Sequence, residues 1–128
     1  MLQHHPRPVG LPPVQGYSHV VAGTGELIAV SGQLPLDGNG ELVGQGDALR
    51  QARQVFANLG TALRAAGAGI EDVVRLSVFL TDLAHLGAFR TARDEAVGGG
   101  PAPASSLVQV SGLVLPGAYL EIDALAVR

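Results

Sequence analysis

The chain contains no cysteine, no lysine and no tryptophan. Without cysteine it has no disulfide, no thiol nucleophile and no thiolate ligand for zinc. Without lysine it has neither a Schiff-base amine nor a P-loop ammonium, and all eight cationic side chains are arginine. Aromatic residues are 4% of the chain, so alanine, valine and leucine must build the core. Charge is scarce as well: Asp, Glu, Lys and Arg make up 15%, where soluble domains carry about 25%. One domain of 128 residues has a large surface for its volume and should need more charge than average, not less. Much of that surface is therefore expected to be buried against copies of the same chain. No apolar run of about 18 residues exists, so no membrane span is expected. The opening Met1–Pro8 also lacks the apolar stretch of a signal peptide. The cytoplasm is the expected location. A net charge of −3 and a pI near 5.7 disfavour a nucleic-acid partner, which would call for a clustered basic face.

What the chain does have is a regular alternation of β-rich runs and amphipathic stretches. Residues 1–15 hold four of the eight prolines and read as an extended arm rather than packed structure. Adjacent His4 and His5 in such an arm do not make a metal site, and neither metal nor cofactor is expected. Tyr17–Ala22 and Leu27–Leu34 are β-rich and, with Gly23–Glu26 between them, predict a hairpin. Ala48, Ala52, Val55, Leu59, Ala62 and Ala66 recur at helical steps, which predicts a helix capped by Asp47 and ended by Gly67. Val73–Leu80 reads as a strand, with Val74, Leu76, Val78 and Leu80 on one face. A second helix is expected from Asp82 to Gly98, and then strands over Ser106–Val110 and Ala118–Val127. The order ββαβαββ, with two helices on one face of a mixed sheet, is an α+β single domain.

The second helix carries an anomaly. Counting roughly 100° per residue from Leu83, Leu86 falls near 300° and Phe89 near 240°, while Arg90 falls near 340° and Arg93 near 280°. Both guanidiniums project from the apolar stripe, and a buried charge needs a partner because desolvating it alone costs several kcal/mol. Two readings follow. The arginines snorkel at the stripe's edges, with Arg90 pairing with Asp94, or one of them binds an anion in a cleft between subunits. On the last strand Glu121 and Asp123 share a face with Tyr119, a spacing too long for a tight carboxylate dyad and usual for a solvated face. No Gly-x-Ser-x-Gly motif is present, and neither His19 nor His85 has a Ser or Asp at diagnostic spacing.

Pro101-Ala102-Pro103-Ala104-Ser105-Ser106-Leu107-Val108, read with Ser31-Gly32-Gln33-Leu34-Pro35 and Tyr119-Leu120-Glu121-Ile122-Asp123, resembles the Rid (YjgF) family of reactive-intermediate deaminases. The resemblance runs from about Gly16 to Arg128, which leaves residues 1–15 as an arm outside a Rid-like domain over 16–128. It implies a chorismate-mutase-like fold in a barrel-like homotrimer, with clefts between subunits, a small carboxylate or carbonyl ligand and no cofactor. It also implies a site. Glu121 matches the family glutamate that positions and deprotonates water, given one extra residue in the Leu113–Pro116 loop. Tyr17 matches a tyrosine whose phenol reaches the cleft, although Gly16 stands where the family has proline. Ser31 and Gly32 match the residues that contact substrate; in the wall that follows, Ser106 offers a hydroxyl but no charge, and Leu107 replaces a polarisable group often seen there and makes the wall more apolar. Aligned without gaps from Phe79, Arg90 occupies a position often taken by asparagine near the ligand, which favours Arg90 over Arg93.

Ser105 is the departure that matters, because the deaminating members have an arginine there that grips the substrate carboxylate. A charge-assisted bond exceeds a hydroxyl contact by roughly 1.5–3 kcal/mol. Losing two of them without compensation costs on the order of two to four decades in kcat/KM. The expectation is therefore a non-standard hydrolase of imines, enamines or related carbonyl compounds that uses Glu121-activated water, with Arg90 in place of the missing cation. The alternative is a trimer that binds a metabolite without turning it over. Endoribonuclease action or inhibition of translation, a label carried by some relatives, fits the acidic chain least.

Overall fold

In the computed structural model, which describes residues 2–128, eight regular elements follow one another as ββ–β–α–β–α–β–β. They are β1 (Leu2–His5), β2 (Val20–Gly23), β3 (Leu27–Gln33), α1 (Ala48–Ala65), β4 (Val73–Leu80), α2 (Leu86–Val97), β5 (Ala104–Gln109) and β6 (Leu120–Val127). β3, β6, β4 and β5 lie side by side in that order as a mixed sheet. Only the β4–β5 pair is parallel, because α2 carries the chain back between them. β1 and β2 form a separate antiparallel ribbon, with Leu2 opposite Gly23 and His5 opposite Val20.

That ribbon corrects two expectations. Residues 2–5 are not an unpacked arm, because they supply the hydrogen-bonded ladder of β2. Gly23–Glu26 does not close a hairpin either: β2 is already paired, and β3 takes β6 as its partner from Leu27–Val127 onward. Reciprocal bonds between Glu26 and Arg128 (2.7 and 3.0 Å) fix the start of that ladder. The partner of a short strand after a proline-rich stretch is set by long-range pairing, which local pattern does not reveal.

α1 forms as its sequence predicts. The Asp47 carboxylate accepts the Arg50 N–H, and Gly67 follows the helix at φ +74°. Its stripe of Ala52, Val55, Phe56, Leu59 and Leu63 is fully buried against the sheet. Asp82 caps a turn of 3₁₀ helix over Leu83–His85, and the α-helical part of α2 begins only at Leu86. Phe89 of α2 packs 6.0 Å from Phe56, joining the two helices on one side of the sheet. The sheet presents Ile28, Val30, Leu76, Val78, Leu80, Leu120, Ile122, Ala124 and Ala126 to them. A bulge between Val73 and Arg75 shifts β4 by one residue, so Val73 enters the core in place of the expected Val74. Gln51 is buried without cost: its Nε2 donates to the carbonyls of Gly44 and Gly117, and its Oε1 accepts the Tyr119 N–H. Among the described residues no helix packs on the opposite face of the sheet, hereafter the uncovered face, and Leu27, Val108 and Leu125 are exposed on it. Among the described residues no helix is long and apolar enough to cross a membrane.

Candidate functional site

Two clusters hold the residues singled out by the sequence, and the register of the strands separates them. In β5, Ser105 lies opposite Leu76 and Leu107 opposite Val78, so both share the helix-facing side of the sheet. In β6, Glu121 lies opposite Phe79, on the uncovered side. Within one chain, Glu121 therefore looks away from Ser105 and Leu107.

The first cluster is a cavity of about 480 Å³ between α2, β5 and the segment that precedes β2, lined by Tyr17, Leu86, Phe89, Arg90, Arg93, Ser105 and Leu107 among others. Tyr17 is held there through its neighbour. The Ser18 N–H donates to the Pro103 carbonyl at 3.0 Å, and the Ser18 hydroxyl donates to the Ala102 carbonyl at 2.7 Å. The buried Ser18 thus fixes the approach of residues 16–19 to the start of β5. Tyr17 and Ser105 also border a smaller cavity of about 160 Å³ that reaches Arg75 and Ser106. Ser106 itself faces the uncovered side, and its hydroxyl accepts a hydrogen bond from Arg75 Nη2 at 3.2 Å.

The two arginines of α2 exchange the roles expected of them. Arg90 is exposed at the rim, whereas Arg93 is buried at 7% exposure. Asp94 pairs with Arg93 and not with Arg90: Arg93 Nε donates to Asp94 Oδ1 at 3.0 Å, and Nη2 lies 2.9 Å from the same oxygen. The Arg93 guanidinium also stands 5.6 Å over the Phe89 ring, a cation–π distance. Its other face rests on Gly16. The guanidinium lies where a Gly16 Cβ would point, but as the end of a flexible side chain it can give way, and it is the backbone at φ +77° that requires glycine. Sequence reasoning ranked Arg93 below Arg90, yet Phe89, Ala92 and Arg93 are the buried residues of α2, which is the i, i+3, i+4 signature of a helix face.

The second cluster lies on the uncovered face. Ser31 and Gly32 form the irregularity in the β3–β6 ladder between Val30–Ala124 and Gln33–Ile122, so two residues of β3 stand opposite Asp123. The half-buried Glu121 carboxylate packs directly on Gly32, where a Cβ would fall 2.4 Å from Oε2. Glu121 makes no hydrogen bond and no ion pair among the described residues, so its lone pairs face outward from the sheet. The described residues contain no group of three or more metal-ligating side chains.

Comparison with known proteins agrees with this architecture. The endoribonuclease L-PSP family profile matches residues 9–128. The chain is 40% identical over 112 residues to protein DfrA of Myxococcus xanthus, which covers 87% of this chain and 84% of that protein. It is 37% identical over 116 residues to a RutC family protein of Synechocystis, covering 90% and 88%. Among solved structures, the Rid-family protein YyfB of Yersinia pestis, whose function is unknown, superposes with a TM-score of 0.91 at 36% identity, covering 99% of this chain and 98% of that one. The family profile, the sequence relatives and the superposed fold agree over nearly the whole chain, and together they make it a member of the Rid (YjgF) family.

Proposed function

We propose that this chain is a small-molecule hydrolase of imines or enamines, with each site completed by two copies of the chain in a homotrimer. Membership of the Rid family supports a deaminase-like, hydrolase-like or metabolite-binding role on small molecules. The observation that carries the finer reading is the opposition of faces. Glu121 and the Tyr17–Ser105–Leu107 cavity lie on opposite sides of one sheet, so they meet only when the uncovered face of one copy packs beside the cavity of the next. The exposed Leu27, Val108 and Leu125 on that face and the low charge content favour such packing.

In the proposed reaction Glu121 accepts a proton from water as the water oxygen bonds to the C=N carbon. An enamine enters this step as its protonated imine tautomer; Glu121 passes its proton to the carbinolamine nitrogen, the C–N bond breaks as the hydroxyl loses its proton to solvent, and ammonia and a carbonyl product leave. Ser31, Gly32 and Ser106 line the face that Glu121 occupies, while Tyr17, Ser105 and Leu107 shape the opposite wall, with Arg90 at its rim. The test is hydrolysis of 2-iminopropanoate and branched-chain 2-imino acids generated in situ by an amino-acid oxidase. Activity in the wild type that disappears in Glu121→Gln supports the reading. An inert wild type that gains activity in Ser105→Arg instead favours a metabolite-binding trimer, the second reading, whose support is the absence of a cation at Ser105.

A further inference from the structure

The geometry points to Arg93 as the anion-binding group of this pocket, and to ligands with a single carboxylate attached to an uncharged, apolar side chain. The inference rests on the pocket described above and deepens that reading by naming the cation and the ligand class. Three observations carry it. Arg93 emerges from the buried stripe of α2 beside Phe89 and Ala92, where an apolar residue of similar volume would be at least as stable. A guanidinium has five N–H donors, and Asp94 engages only Nε and one edge of Nη2 through a single oxygen. Nη1 makes no hydrogen bond within the described residues, yet no buried side-chain donor among them lacks a partner. Nη1 is therefore reached from the cavity that Arg93 lines. The third observation is that the guanidinium lies against Gly16, so α2 and the segment before β2 together frame it at this wall.

The remaining surroundings define what that cation can take. Leu86, Phe89 and Leu107 give the cavity an apolar wall beside the polar groups of Gln15, Tyr17 and Ser105, so an apolar side chain of the ligand packs on that wall while its carbonyl or imine group meets the polar ones. A carboxylate reaching Nη1 and the outer edge of Nη2 forms a bidentate, charge-assisted pair. Asp94 is 68% exposed and competes for the same guanidinium from the solvent side. It weakens the clamp while keeping the empty pocket's charge compensated.

The experiment is calorimetric titration of the intact protein with 4-methyl-2-oxopentanoate, an unreactive carbonyl analogue of a branched imino acid, and with the uncharged 4-methylpentan-2-one. The acid is expected to bind and the ketone not. Arg93→Gln is expected to weaken the acid by on the order of ten- to a hundredfold, while Arg90→Ala weakens it by less than about threefold. Asp94→Asn is decisive. A purely structural ion pair would lower the melting temperature and leave affinity unchanged, whereas the clamp predicts binding tighter by about two- to fivefold. Wild-type protein that ignores the acid, or Arg93→Gln that binds it unchanged, overturns the assignment. Because the probe is not turned over, binding through Arg93 without any imine hydrolysis keeps this inference and rejects the hydrolase. Hydrolysis with binding indifferent to Arg93 does the reverse.

Discussion

Arg93 and Arg90 illustrate at single-residue scale how a motif alignment and a helix face can favour different residues for one role. A wheel drawn at about 100° per residue from Leu83 treats residues 83–97 as one α-helix. The turn Leu83–His85 is 3₁₀ and Leu83 is exposed, so the stripe is defined by the α-helical part alone. Within it Arg93, at about 280°, lies between Phe89 and Leu86, whereas Arg90, at about 340°, lies beyond Leu86 on the solvent side. Glu121 was legible only through the family motif, because a carboxylate on an alternating strand usually faces water. Its contact with Gly32 gives a direct prediction. Gly32→Ala puts a Cβ 2.4 Å from Oε2 and 2.7 Å from Cδ, so the carboxylate must move while the backbone, which is not left-handed here, accepts alanine. Imine hydrolysis is expected to fall on the order of ten- to a hundredfold in kcat with the melting temperature nearly unchanged. Gln51→Leu should do the opposite. It strands the Gly44 and Gly117 carbonyls and the Tyr119 N–H, costing about 2–4 kcal/mol in denaturant titration.

At the scale of elements, what the sequence made plain was whatever depended on local repetition. α1 with both its caps, β4 and the end of β6 follow from periodicity and from single residues such as Asp47 and Gly67. β1, the pairing of β2 and the bulge at Val73–Arg75 depend on which distant strand is adjacent, and no local pattern encodes that choice. The packing of α1 on α2 also has an electrostatic tie: Arg53 Nε and Nη2 donate to the two Glu95 carboxylate oxygens, each at 2.9 Å. Hydrogen bonds from Arg53 hold the Glu95 carboxyl below its ordinary value of 4.5. The folded state thus binds protons less readily at Glu95 than the unfolded chain does. The contribution is present above that ordinary value and lost as pH falls through the depressed one. Both side chains are about half exposed, so the effect is small and screened by salt. Glu95→Gln is expected to flatten the acid limb of melting temperature against pH at low ionic strength, and to match the wild type at 1 M salt, where the Debye length is about 3 Å.

At the scale of the whole molecule, the opposed faces make the site a property of contact between copies, and that can be tested without knowing the natural substrate. Ser105→Trp fills the cavity behind β5 but leaves Glu121 on the far face untouched, while Glu121→Gln leaves the cavity intact. Each variant alone is expected to be inactive in imine hydrolysis. Dissociated, mixed in equal amounts and reassembled, they form sites in which a Glu121→Gln chain supplies the cavity and a Ser105→Trp chain supplies the glutamate. Random assembly makes about a quarter of all sites of this kind in a closed ring, so about a quarter of wild-type activity should return. A site complete within one chain would regain none. Leu125→Glu is the companion experiment. Leu125 is 38% exposed on the uncovered face and borders neither cavity. A buried, unpaired carboxylate at the contact between copies costs several kcal/mol, and sedimentation at micromolar concentration should then find monomers. Those monomers are expected to keep the circular dichroism of the wild type, because the core lies between the helices and the other face of the sheet. They should nevertheless lose hydrolysis, since every residue of the site would be present and no two halves would meet.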